Sequence, residues 1–183
     1  VVEETLPPKP LAGWNCDESS GVKMQSVVDG EKDLLLDGVT WRRGVQGRAL
    51  DFDGTGKARW LRSPGDVLFD EDFTFSTWIC TTKDGSIFSQ THPEGPWIPG
   101  GKTFFIRDGR LCFDVGWVGV IEGDRFIADG SWHHVAFSWD ADNFRVELFV
   151  DGVRETAAIL EPENEIRDTV TTIGFTAEDF PAE

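Results

Sequence analysis

Short runs of alternating apolar and polar side chains recur along most of this chain, separated by turn-forming residues. In Phe73-Thr74-Phe75-Ser76-Thr77-Trp78-Ile79, the residues Phe73, Phe75, Thr77 and Ile79 share one face. The run from His133 to Trp139 aligns Val135, Phe137 and Trp139, and the next places Phe144, Val146, Leu148 and Val150 opposite Arg145 and Glu147. A period of two with one wet face predicts antiparallel strands that each cover one side of a core. Phe75, Phe113, Val135, Phe137, Val146 and Leu148 are the expected core. No stretch sustains apolar residues at helical spacing over three turns, so helix is not expected.

The turn residues agree with this pattern. Asp108-Gly109 lies between Phe104-Phe105-Ile106-Arg107 and Arg110-Leu111-Cys112-Phe113. Asp-Gly readily takes the positive φ values of a tight hairpin, so a hairpin is predicted there. Asp84-Gly85 is read as turning Trp78-Ile79 back into Ser86-Ile87-Phe88, and Asp53-Gly54, Asp129-Gly130 and Asp151-Gly152 repeat the device. Many short strands punctuated this way predict an all-β sandwich of two sheets. The connections Leu61 to Glu71 and Thr91 to Gly101 read as surface loops, and Trp14, Trp60, Trp78 and Trp139 mostly as core. Residues 1–10 read as a linker, because Pro7, Pro8 and Pro10 favour extended backbone. Residues 11–183 then form one domain.

Composition narrows the function classes. The 33 acidic residues against 17 basic ones give a formal charge of −16. Such a body repels nucleic acid and anionic membrane surfaces, tolerates neutral sugars and attracts divalent cations. With 14 Phe and 8 Trp there is ample surface to bury, which excludes disorder. The longest apolar runs, such as Leu34-Leu35-Leu36, are too short to cross a bilayer. The sequence opens on Val1 without a charged head and apolar signal core, which reads as a processed product or an excised module. Cys16, Cys80 and Cys112 are widely spaced, so no zinc-ribbon, thioredoxin-like or haem-attachment motif exists, and Cys16 reads as a small buried hydrophobe in an apolar strand.

Gly47-Arg48-Ala49-Leu50-Asp51-Phe52-Asp53-Gly54, the Phe73–Ile79 run, Asp129-Gly130-Ser131-Trp132-His133-His134-Val135-Ala136 and Leu148-Phe149-Val150-Asp151-Gly152 look like successive signatures of laminin G-like domains. They resemble the bacterial branch of the concanavalin A-like lectin/glucanase superfamily, and Ala12 to Glu18 is similar to that branch's opening strand. The stretch Ser86-Ile87-Phe88-Ser89, leading into a long loop, looks pentraxin-like. The resemblance implies a jelly-roll sandwich of two curved antiparallel sheets. It also implies a closing strand with an Ile-Asp-Asp/Glu-Val-Arg-like motif after Ile173-Gly174, and Glu183 is reached without one. The opening strand, Leu11 to Cys16, is therefore expected to lack its usual partner. Dimerisation through strands follows, or a borrowed strand, with Val1 to Thr5 or sequence outside this chain as the source.

Candidate chemistry is sparse. Glucanases of this superfamily place carboxylates at alternate positions of one strand. Asp70-Glu71-Asp72 and Glu161 to Asp168 flank turns instead, and Asp51 and Asp53 fall in a structural signature. His133 and His134 face opposite ways on a strand, so they do not chelate one ion together, and one imidazole is expected to be packed and hydrogen-bonded. The loop Gln90 to Gly101 carries His92, Glu94 and Trp97 among prolines and glycines, and Trp117 lies within Val115-Gly116-Trp117-Val118-Gly119. Indole rings pack on the CH faces of sugars, while His and carboxylate groups pair with hydroxyls, so His92, Glu94, Trp97 and Trp117 are the candidate ligand residues. The alternative for Trp97 is a lid over the sheet. Glu178 and Asp179 follow Thr172-Ile173-Gly174-Phe175, where pentraxin-like relatives hold calcium-binding acids. With Glu94 they are the candidate calcium ligands, against the reading of a solvated acidic tail. The expectation is a non-catalytic module that binds a polysaccharide or other glycan, part of a larger secreted, periplasmic or cell-surface protein. A protein-interaction or architectural module and a glycoside hydrolase or lyase are the alternatives.

Overall fold

The computed structural model describes residues 9–18, 20–60, 68–163 and 166–180. In chain order its strands are β1 (Lys23–Met24), β2 (Leu34–Asp37), β3 (Thr40–Arg43), β4 (Arg48–Asp51) and β5 (Lys57–Trp60). A 3-10 turn, Leu68–Asp70, precedes β6 (Phe73–Cys80), β7 (Gly85–Thr91), β8 (Lys102–Arg107), β9 (Arg110–Val115) and β10 (Gly119–Phe126). The last four are β11 (Trp132–Asp140), β12 (Arg145–Val150), β13 (Val153–Ile159) and β14 (Val170–Ile173). The larger sheet runs β1-β2-β5-β14-β7-β8-β9-β10, the smaller β13-β12-β11-β6, and β3 pairs with β4 as a separate ribbon. Pairing is antiparallel, so this is the expected jelly-roll sandwich.

The period of two places the core as anticipated. Phe113, Val135, Phe137, Val146 and Leu148 have no exposed surface, and half-buried Phe75 packs on Phe88 and Phe137. Asp108-Gly109 joins β8 to β9 with φ of 50° and 72°, and Asp151-Gly152 joins β12 to β13 with 50° and 79°. Two consecutive positive φ values give the turn whose twist matches a hairpin. His133 is held as expected, with Nδ1 2.9 Å from Asp151 and Nε2 3.3 Å from Asp129.

Four expectations are corrected. Asp84-Gly85 does not close a hairpin, because β6 and β7 lie in different sheets. The Asp84 carboxylate instead accepts the N–H groups of Asp108 and Gly109, at 2.8 and 2.9 Å, and braces the β8–β9 turn. Leu68 and Phe69 do not lie on a surface loop: the 3-10 turn drives both into the core, where Phe69 stacks on Phe137 and meets Trp139 edge-on. Trp78 is half exposed, since inward-facing Phe75, Thr77 and Ile79 leave it on the outer face of β6, against His134. Residues 11–16 are not a strand: Cys16 has a left-handed backbone (φ 58°), and the segment is held by Trp14 packing edge-on to Trp60 and by Val27 N–H donating to the Gly13 carbonyl. The three cysteines are free thiols. Among the described residues β6 has no strand along its outer edge. Val1 to Thr5, considered as an edge partner, lie outside the described residues.

Residues 175–180 cover the outer face of the larger sheet in part, over β7 and β8. Thr176 shares hydrogen bonds with Ser86 (2.8 Å) and Thr103 (2.7 Å), and Ser89 Oγ donates to the Phe175 carbonyl at 2.8 Å. These contacts satisfy hydroxyls that would otherwise be buried at a cost. Phe180 then inserts between Trp97 and Phe105, with centroids 5.0 and 4.9 Å away. On the core side Lys102 is buried, its Nζ donating to the Gly100 carbonyl at 3.0 Å over the Phe69 ring. Burial pulls its pKa down to about 8.

Candidate functional site

Gly100 N–H donates to the Gly116 carbonyl at 2.9 Å, and Gly116 N–H to the Gly101 carbonyl at 2.8 Å. These two bonds zip the loop after β7 onto the turn between β9 and β10. The glycines are needed for the approach: a Cβ on Gly101 would stand 2.7 Å from the Trp97 ring, and one on Gly116 would overlap the Ile98 carbonyl. The Trp97 ring thereby lies against both glycines. From the other side the Asp179 carboxylate accepts its backbone N–H at 2.6 Å.

The β9–β10 turn, Gly116-Trp117-Val118, is closed by Val118 N–H donating to the Val115 carbonyl at 2.9 Å. Trp117 occupies its left-handed position, φ 62°, with 71% of its surface exposed. That conformation costs a non-glycine residue about 1–2 kcal/mol. A large apolar side chain held in water by a strained backbone is not explained by core packing. Trp97, Asp114, Trp117, Val118, Gly119 and Val120 line an open cleft beside this turn.

Asp114 supplies the cleft's charge. It alternates with Phe113 and Val115 on β9, so it faces outward where they face the core. Burial raises its pKa to about 6, against the opposing pull of the Arg107 charge and a side-chain hydrogen bond from Trp97. The Arg107 guanidinium lies over the Phe105 ring, 4.9 Å from its centroid. The cleft thus offers one exposed indole, one seated indole and one carboxylate acceptor. Such a set packs against an apolar ring face and accepts from hydroxyl or ammonium donors.

Of the residues singled out from sequence, the structure brings Trp97 and Trp117 to this cleft. His92 and Glu94 are exposed on the part of the loop that turns toward β5, where Arg59 donates to the Pro93 carbonyl at 3.3 Å. Neither lines the cleft. Glu178 N–H donates to the Gly95 carbonyl at 3.1 Å, so the acidic pair does meet the loop. The Asp179 carboxylate accepts the Trp97 backbone N–H, and among the described residues no three His, Cys, Asp or Glu side chains gather in one cluster. Asp114 escaped sequence reading, and its only signal was an acid on a strand running directly into Gly-Trp-Val-Gly. Three of the acids weighed for catalysis have partners elsewhere. Asp51 pairs with Arg42 at 3.0 Å, Asp53 binds Thr55 of its own turn, and Asp72 accepts Ala141 N–H at 2.8 Å.

Known structures share the fold. The sialidase carbohydrate-binding module CBM40 of Ruminococcus gnavus, bound to α2,3 sialyllactose, is similar at TM-score 0.50 and 15% identity, over 58% of this chain and 64% of that one. Domain 4 of the extracellular GH43 arabinanase AbnA from Geobacillus stearothermophilus, in complex with arabinotriose, is similar at TM-score 0.59 and 18% identity, over 84% and 79%. The binding domain of botulinum neurotoxin DC, in complex with rat synaptotagmin II, gives TM-score 0.59 and 11% identity over 88% and 43%. No curated protein matches the chain. A laminin G family model, described as concanavalin A-like lectin/glucanases superfamily, matches residues 53–181. With that match spanning more than half its length and the sandwich already in place, the chain belongs to the laminin G-type family of the concanavalin A-like lectin/glucanases superfamily.

Proposed function

We propose that this chain is a non-catalytic carbohydrate-binding module whose site is the cleft between Trp97 and Trp117. The observation that carries the reading is Trp117, 71% exposed on a left-handed backbone beside a half-buried carboxylate. A sugar ring laid on the indole removes its apolar face from water while a ring hydroxyl donates to Asp114. Two structures that share the fold carry sugars, sialyllactose and arabinotriose, which supports the class of ligand. Recognition rather than cleavage is supported by the carboxylate inventory. Glycoside hydrolysis takes a pair of acids flanking the bond, and Asp114 is the acid among the residues that line the cleft. A module of this kind serves a secreted or surface protein, holding it on a polysaccharide.

The test is a glycan array probed with the wild-type chain and with Trp117→Ala. Binding to a defined glycan class that the variant loses, with its thermal melt unchanged, is the expected result. A wild-type chain that binds no glycan refutes the reading.

A further inference from the structure

We propose that this cleft, taken as a glycan site, selects sugar rings that are uncharged or carry an ammonium group and turns away uronates, sialosides and sulfated sugars. The inference rests on the carbohydrate reading and adds to it the charge class of the ligand. Its basis is the list of groups a bound ring would meet. Trp97, Trp117, Val118, Gly119 and Val120 offer indole faces, aliphatic surface and backbone, and Asp114 offers a carboxylate. None of these six carries a positive charge. An ionised carboxylate accepts hydrogen bonds and donates none. Hydroxyl and ammonium donors therefore pair with it, whereas a ligand carboxylate or sulfate brings like charge and meets only the neutral indole and backbone N–H groups of the lining, with no cation to offset it.

The surroundings do not reverse this. Arg107, the cation that acts on Asp114, is laid over Phe105 and is not part of the lining. Arg110, at the start of the same strand, is paired with Glu122 at 3.0 Å. From the tail, Glu178 and Asp179 add negative charge near Trp97, and the whole chain carries −16. Sites built for anions present a forked guanidinium or a cluster of converging N–H donors. This cleft presents the opposite. With its pKa near 6, Asp114 is mostly ionised at neutral pH, so the exclusion operates there.

The experiment is an array that sets neutral xylo-, gluco-, galacto- and arabino-oligosaccharides and glucosamine oligomers beside uronate, sialylated and sulfated glycans, at neutral pH. The best neutral or amino-sugar hit and its anionic counterpart are then titrated by calorimetry into wild type, Asp114→Asn and Trp117→Ala. The proposal expects hits confined to neutral and amino sugars, with anionic counterparts at least about tenfold weaker. It expects Asp114→Asn to narrow that ratio while weakening the neutral ligand. An anionic glycan that binds as tightly and is lost in Trp117→Ala overturns the charge selection and leaves the carbohydrate reading standing. A ratio unchanged in Asp114→Asn does the same. A blank array overturns both.

Discussion

Asp114 sits where burial and function pull in opposite directions. Partial desolvation disfavours its charge, and its pKa stands at about 6 rather than in the usual carboxylate range. The folded chain therefore holds this proton more tightly than the unfolded chain does, and ionisation at Asp114 subtracts stability as pH rises through the window from about 4 to about 6. Ligand binding has the other sign, because a charge-assisted acceptor is stronger than a protonated one. We expect glycan affinity to fall as pH drops from about 7.5 to about 5, and Asp114→Asn to flatten that dependence. Calorimetric titrations at both pH values check it; an equally steep fall in the variant would place the titrating group elsewhere. Trp117 was legible as a candidate because its flanking glycines leave little else for a large ring to pack on. Asp114 was not, since one polar residue alternating with Phe113 and Val115 looks like the wet side of any strand.

At the scale of elements, alternation and Asp-Gly pairs were enough to read the strands and the tightest turns, because both are local effects. The central ring of the core belongs to Phe137, fully buried on β11 and in ring contact with Phe69, Phe75, Phe88, Phe104 and Phe113. Phe137→Ala should cost about 3–5 kcal/mol in denaturant unfolding, and a loss below about 1 kcal/mol would contradict that packing. Non-local contacts escaped. Nothing in Leu68-Phe69 announces a turn that plugs the core, and nothing in Thr176 or Phe180 announces a cover for the outer sheet face. The zipped loop gives a second expectation. Gly116→Ala drives a methyl into the Ile98 carbonyl, so the loop must move, at a cost of about 1–3 kcal/mol. Because Trp97 rests on that loop, glycan binding should weaken with stability, whereas a variant with a normal melt and normal binding would show that the contact is dispensable. Among the described residues no strand pairs along the outer edge of β6, and a sheet edge of that kind favours edge-to-edge association. Light scattering over a concentration series should show reversible dimers, and a monomer at every concentration would mean that the edge is covered.

The whole molecule is a sandwich that uses its two large-sheet faces differently. One packs the aromatic core, and the other is sealed in part by residues 175–180, which leave the β9–β10 end open. The acidic pair Glu178 and Asp179 takes its place in this arrangement through backbone anchoring of the 90s loop: Glu178 N–H meets Gly95 and Asp179 holds Trp97. Family resemblance pointed to that meeting of tail and loop, and the geometry gives it a mechanical role. A charge of −16 spread over such a body keeps it apart from polyanions and leaves an uncharged ring face as the natural complement of an exposed indole. The central claim, that Trp117 is the platform of a glycan site, is tested most directly by calorimetric titration of the strongest array glycan into wild type and Trp117→Ala at neutral pH. The account predicts at least about a tenfold loss of affinity, ~1.4 kcal/mol, with an unchanged melting temperature. Equal affinities in the two proteins would contradict it.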